Sequence, residues 1–341
     1  MRLVASLFGK GPTRLESRRR PEPGRRGAPR GRAESSLSGG FPPAKDGVPA
    51  SRAASLNLLG TDSRRWLIVG ALVLIWVPGL RVLAGAWSNV EYASHGFLVP
   101  WVALWAATAH REALSQLDPG PLRGGALLLT GCLAVYLGGL ALGEASLLGL
   151  VAVATVVATV LTLWGLAYAK LLRFPLAYLL FMVPLPSSWV TPLIVELQLL
   201  VSGFAVQLLH LLGVTILKQG NVLVLPGDRM LFVAEACSGI TSLITLLPIG
   251  VFVAYFTEHA LWRRIALVAA VVPIALAGNL LRVLMTVWLS IEVSVEFATE
   301  GPLHEWAGVL TYALGCICLL GVGRGLRWVS RGRQTARSVA R

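Results

Sequence analysis

Charge is scarce in this chain. Only 14% of its 341 residues are Asp, Glu, Lys or Arg, 55% are hydrophobic, and the mean hydropathy is +0.70. Soluble domains carry about 25% charged residues, so the shortage excludes an ordinary water-soluble globule. The long apolar runs also lack two-residue alternation, which excludes the strands of a membrane barrel. Cysteine is rare. Cys132, Cys316 and Cys318 lie in apolar runs, where a thiol behaves as a small hydrophobe, and only Cys237 has polar neighbours. Cys316 and Cys318 stand two apart, face different ways on a helix and do not make a metal pair. There is no glycine-rich phosphate loop and no convincing metal-ligand spacing, so no cofactor and no metal is implied. No apolar core precedes Trp66, so no signal peptide is expected.

What the chain does have is long runs of Leu, Ala and Val. Nine apolar segments stand at about 66–86, 97–110, 124–142, 146–168, 171–186, 193–217, 239–257, 264–289 and 304–322. Several approach the roughly 20 residues that cross about 30 Å of hydrocarbon as helix. The expected fold is all-α, a polytopic transmembrane helical bundle. Arg64 and Arg65, then Arg263 and Arg264, then Arg324, Arg327, Arg331 and Arg333 place both ends and the 258–263 turn in the cytoplasm. Two cytoplasmic ends require an even number of crossings, so about eight spans are expected. The segment expected not to cross is 193–217, whose Glu196, Gly203, Gln207 and His210 form one polar stripe. The proline-broken 97–110 run is the second choice.

Residues 1–65 read as a disordered, basic cytoplasmic arm with 14 Lys or Arg and 5 acids. Such an arm can bind anionic lipid or nucleic acid, or serve as a solvated tail that enforces orientation. The tail is the preferred reading, and no nucleic-acid partner is expected. Residues 66–325 form the membrane domain and 326–341 a basic cytoplasmic tail. Between Lys218 and Ala236, two β-prone runs flank Pro226-Gly227-Asp228. They read as a short extracytoplasmic β-hairpin that leads to Cys237.

Counting rise along helices brings three reactive groups to one membrane face. Asn279 and Arg282 follow Arg264 by 15 and 18 residues, about 22 and 27 Å along a helix, and so approach the non-cytoplasmic end. Cys237 opens the span that descends to the Arg263-Arg264 turn, and His304 opens the span that ends in the Arg-rich C-terminus. A helix N-terminus favours a thiolate, so Cys237-Ser238-Gly239 suits an activated thiol. An imidazole at His304 can take the thiol proton and return it to a leaving amine. Arg282 offers donors to an oxyanion, and Asn279 can orient Arg282 or add a donor. The plainer reading is a structural Cys, a snorkelling Arg and a surface His.

Five blocks, in order, resemble the exosortase/archaeosortase family over roughly residues 66–325. They are Ser94-His-Gly-Phe-Leu-Val-Pro100, Pro184-Leu-Pro186, Glu235-Ala-Cys-Ser-Gly239, Asn279-Leu-Leu-Arg282 and His304-Glu-Trp-Ala-Gly308. The resemblance implies a membrane-embedded cysteine peptidase, a transpeptidase by expectation, in the cytoplasmic (inner) membrane with its site facing the extracytoplasmic side. It implies Cys237 as nucleophile, Arg282 as oxyanion stabiliser and His304 as acid/base, with Asn279, Ser238, Gly239 and His95 in support. It implies partners too: membrane lipid, and exported proteins that end in a short motif, one membrane helix and a basic cluster. Thr241 and Ser242 stand where many members carry a basic residue, and the arm at 1–65 has no counterpart in the family pattern. A transporter, or an assembly factor for surface polysaccharide export, is the alternative function.

Overall fold

The computed structural model describes residues 51–227, 229–232, 240–300 and 302–339. The chain divides into two units at Ile68/Val69. The described part of the first unit is the start of helix α1 (Ser51–Asn89), so helix begins within the stretch 1–65 that reads from sequence as a disordered arm. Ala and Leu between Ser51 and Leu59 are strong helix formers. The rest of that arm, 1–50, lies outside the described residues.

Among its described residues, the second unit consists of helices, their connecting turns and one small sheet. Its helices are the remainder of α1, α2 (Val99–Thr108), α3 (Gly125–Leu142), α4 (Ala145–Leu163), α5 (Arg173–Tyr178), α6 (Ser187–Leu211), α7 (Ile240–Thr257), α8 (Leu261–Ala269), α9 (Val271–Glu292) and α10 (Pro302–Val339), joined in places by shorter turns. Among the described residues, six helical stretches are long and apolar enough to cross a membrane: 63–89, 125–142, 145–163, 187–211, 261–292 and 306–330. Arg173–Met182 and Thr241–Thr257 are shorter apolar helices.

The polar stripe on 193–217 therefore does not stop that segment from having a span's dimensions. Glu196, Gln207 and His210 are exposed on α6, while Val190, Ile194, Val201, Ala205 and Leu209 face the interior. Apolar residues outnumber the stripe, and the helix runs 25 residues. Two apolar pieces are too short to cross by themselves: α2 and Arg173–Met182, each of 10 residues.

A hydroxyl holds α1 together where proline breaks it. Pro78 lies inside the helix. Tyr136 of α3 donates its hydroxyl to Ile75 O (2.8 Å) and accepts from Gly79 N (3.3 Å), bridging the 79→75 step of the ladder. A Cβ at Gly79 would stand 2.7 Å from the Tyr136 ring, so only glycine admits it.

Strands β1 (Leu217–Gln219), β2 (Val222–Leu225) and β3 (Arg229–Phe232) form an antiparallel sheet in that order, with Leu217 opposite Val224 and Val222 opposite Phe232. Leu223, Leu225 and Leu231 bury one face against Val201, Ala205 and Leu209 of α6 and Val283 and Val287 of α9. Polar pins fix the rest. Lys218 Nζ donates to Leu199 O (2.6 Å) and Asn221 Nδ2 to Gln198 Oε1 (2.6 Å). The Arg229 guanidinium donates to Ser290 O (2.9 Å) and Ile291 O (3.3 Å), satisfying carbonyls in the last turn of α9.

Where α7 turns into α8, the buried carboxylate of Glu258 pairs with Arg263 (3.3 Å) and with Arg327 of α10. Arg264 donates to the Glu258 carbonyl (2.6 Å) and to Tyr255 O (3.3 Å). Arg263 also reaches Ser330 Oγ (3.2 Å). The turn and the last helix are thus tied by charge at one end.

Candidate active site

Helix α9 carries Asn279 and Arg282 one turn apart on the same face. Asn279 is 2% exposed and Arg282 is half-buried. The Arg282 guanidinium lies against α10: a Cβ built on Gly308 would stand 3.5 Å from Nη2 and 3.6 Å from Cζ. That is ordinary van der Waals spacing, so the guanidinium rests directly on the Gly308 backbone. His304 lies in α10 one turn before Gly308, and residues four apart share a helix face. Helix packing therefore brings Arg282 to the turn of α10 next to His304. The His304 side chain, and all of Cys237, Ser238 and Gly239, lie outside the described residues.

One further turn along α10, Tyr312 donates its hydroxyl to Thr245 O of α7 (3.4 Å). Helix α7 starts at Ile240, three residues after Cys237. Sequence reasoning missed Tyr312. The signal for it was available as a four-residue spacing through His304, Gly308 and Tyr312.

His95 stands in the 3-10 helix Glu91–Phe97. Its Nε2 donates to Phe181 O (2.9 Å), and Trp87 Nε1 donates to Met182 O (2.9 Å). These two bonds hold the segment that precedes Pro184-Leu185-Pro186. Burial pushes the His95 imidazole below its ordinary 6.5, opposed by the carbonyls of Phe181 and Tyr92, so the ring is neutral at pH 7. Gly96 has a steric cause: a Cβ there would sit 2.3 Å from the Trp87 indole nitrogen. Among the described residues no group of three or more His, Cys, Asp or Glu is placed to hold a metal ion.

The sequence matches the family model described as transmembrane exosortase over residues 87–321. No curated protein and no solved structure matches it. The match covers more than half of the chain and takes in the Ser94–Pro100, Asn279–Arg282 and His304–Gly308 blocks. Membership implies, in general terms, the processing of sorting signals. On the family match and the six long apolar helices, this chain is a multi-pass membrane protein that belongs to the transmembrane exosortase family.

Proposed function

We propose that the chain is a membrane-embedded cysteine peptidase or transpeptidase that cleaves C-terminal sorting signals of exported proteins. The reaction takes place at the outer face of the cytoplasmic membrane. Cys237 Sγ gives its proton to the His304 imidazole, and the thiolate attacks the scissile carbonyl carbon. Arg282 donates to the oxyanion of the tetrahedral intermediate. As the C–N bond breaks, His304 returns the proton to the leaving amine. The thioester left on Cys237 is then opened by water or by an acceptor amine, which restores the thiol. Asn279, buried one turn from Arg282, orients the guanidinium.

The observation that carries this reading is the seat of Arg282 on Gly308, one turn from His304. A guanidinium used only for snorkelling would turn toward water instead. In this scheme 66–325 is the catalytic domain, with basic cytoplasmic segments at 1–65 and 326–341. The substrate's own helix lies beside the bundle in lipid, with its motif at the outer rim and its basic cluster on the inner side.

Co-expression with a protein ending in a motif, one membrane helix and a basic cluster tests the proposal. Wild type is expected to produce a mass shift in the substrate. Cys237→Ala is expected to stay in the membrane and produce none. Arg282→Lys is expected to lose about 100-fold in rate, because a point charge does not reproduce the guanidinium fork. A transporter would tolerate Cys237→Ala, so processing by that variant overturns the proposal.

A further inference from the structure

Length and composition alone would let α6 cross the bilayer, but its contacts hold both of its ends at one end of the bundle. The chain that leads into α6 climbs along α7. Phe174 stacks on Tyr255 with ring centroids 3.6 Å apart, and Tyr178 donates its hydroxyl to Pro248 O (3.3 Å). Leu185 then shares a cavity wall with Ile244 and Leu247. From Tyr255 to Ile244 these contacts rise about 16 Å along α7. Tyr255 stands beside the Glu258 cluster, where its carbonyl accepts from Arg264. The chain therefore enters α6 at the end of the bundle far from that cluster. Val190 and Ile194, near the start of α6, pack with Tyr92 and Ile244 and so keep that level.

The later turns of α6 lie at the same level. Val201, Ala205 and Leu209 share a core with Val283 and Val287 of α9, and Arg229 of the sheet bonds to Ser290 O and Ile291 O. Val283 comes about 28 Å beyond Arg264 along its helix. A crossing helix of 25 residues is about 37 Å long and would bring one end down to the Glu258 cluster.

The sheet supplies an independent reason. Its bonds to Leu199 O and Gln198 and its packing on Leu209 make it flank α6 for about 16 Å. Strands β1 and β3 are its two edges. Hydrocarbon does not admit an open sheet edge, because the outward N–H and C=O groups find no partner there. The Gln198–Leu209 stretch of α6 therefore lies at headgroup depth or above.

The surface of α6 fits that depth. Trp189, Leu193, Leu200, Phe204 and Leu211 are exposed at spacings of four and seven, which makes one apolar stripe. Glu196, Gln207 and His210 are exposed in a polar stripe beside it. The third face is the buried one already described. A helix in the interface plane turns its apolar stripe to the acyl boundary and its polar stripe to water. A crossing helix would instead thrust the Glu196 carboxylate into hydrocarbon near its midpoint.

We propose that α6 does not cross the membrane but lies over the extracytoplasmic end of the bundle, with its apolar stripe seated in the phospholipid of the outer leaflet. This is the placement that the polar stripe on 193–217 leads one to expect, and the contacts add the partner. The helix holds the sheet, whose last strand ends at Phe232 shortly before Cys237, at the level of the headgroups. The inference concerns placement and lipid contact, and stands whether or not the chain is a peptidase.

The test is thiol labelling of the full chain by a membrane-impermeant maleimide, with Cys132, Cys237, Cys316 and Cys318 replaced by Ala. Ser188→Cys and Gln207→Cys, at exposed positions towards opposite ends of α6, are both expected to label in right-side-out vesicles and not in inside-out ones. His259→Cys, beside Glu258, is expected to do the reverse. Labelling of the two α6 positions from opposite sides, or of either from the cytoplasmic side, overturns the proposal. Should either variant be lost from the membrane, Thr191→Cys or His210→Cys, also exposed, takes its place. The lipid contact is read from a bimane on Phe204→Cys in phosphatidylcholine vesicles that carry nitroxide lipids. Stronger quenching by a nitroxide near the headgroup than by one at the chain end is expected. Stronger quenching from the chain end puts α6 in the hydrocarbon core and overturns the proposal. Quenching by aqueous iodide alone leaves the stripe without lipid and overturns it too.

Discussion

Single residues in this chain are fixed by contacts that sequence shows only as letters. Gly96 stands within the Ser-His-Gly block, and its reason is the Trp87 indole 2.3 Å from where a Cβ would be. A planar ring hydrogen-bonded to Met182 O cannot retreat easily. Gly96→Ala is therefore expected to destabilise by about 1–3 kcal/mol, seen as a lower unfolding temperature in detergent. His95 makes a pH-dependent contribution with a definite sign. Its folded pKa lies below the ordinary 6.5, so protonation favours the unfolded chain. Its contribution is intact above pH 6.5 and falls as pH drops from there towards the folded value. Wild type is expected to lose thermal stability between pH 7 and pH 5 more steeply than His95→Gln, which cannot take up that proton. The Asn279, Arg282 and His304 blocks were legible because their spacing in turns survives into helices. The Thr245–Tyr312 and Gln198–Asn221 bonds were not legible, because nothing local relates residues 67 and 23 positions apart.

At the scale of elements, apolar run length predicted the helices well wherever proline did not intervene. The 171–186 run did not become one helix: Pro175, Pro184 and Pro186 leave short helical pieces, which expose the Phe181 and Met182 carbonyls that His95 and Trp87 use. The Pro-Gly-Asp turn signalled β2 and β3, but not β1, which is three residues long and follows directly on the turn after α6. The Glu258 cluster also escaped notice, since an acid in a cytoplasmic turn reads as solvated. Its side chain is fully buried between Arg263 and Arg327, themselves 18% and 33% exposed. Removing one partner of a buried ion pair leaves the other charge uncompensated. Glu258→Ala is expected to cost about 3–5 kcal/mol and to increase proteolysis of the last helix from the Arg-rich end, measured in inside-out vesicles.

For the molecule as a whole, the proposed topology puts the Glu258 cluster and both chain ends on the cytoplasmic side, as the Lys and Arg distribution leads one to expect. A phosphatase reporter, active only outside the cytoplasm, is expected to stay silent when fused after Arg341 and to become active when fused after Gln219 in the sheet. Activity at both positions would reverse the assumed evenness of spans. The hydrogen bond from Trp87 to Met182 reaches across 95 residues. At 5–20 residues per second, a ribosome needs about 5–20 s to supply that carbonyl after the indole has emerged. The first span must therefore enter the bilayer and wait, unlatched, while much of the bundle is still being translated, and mutations there are expected to act first on biogenesis.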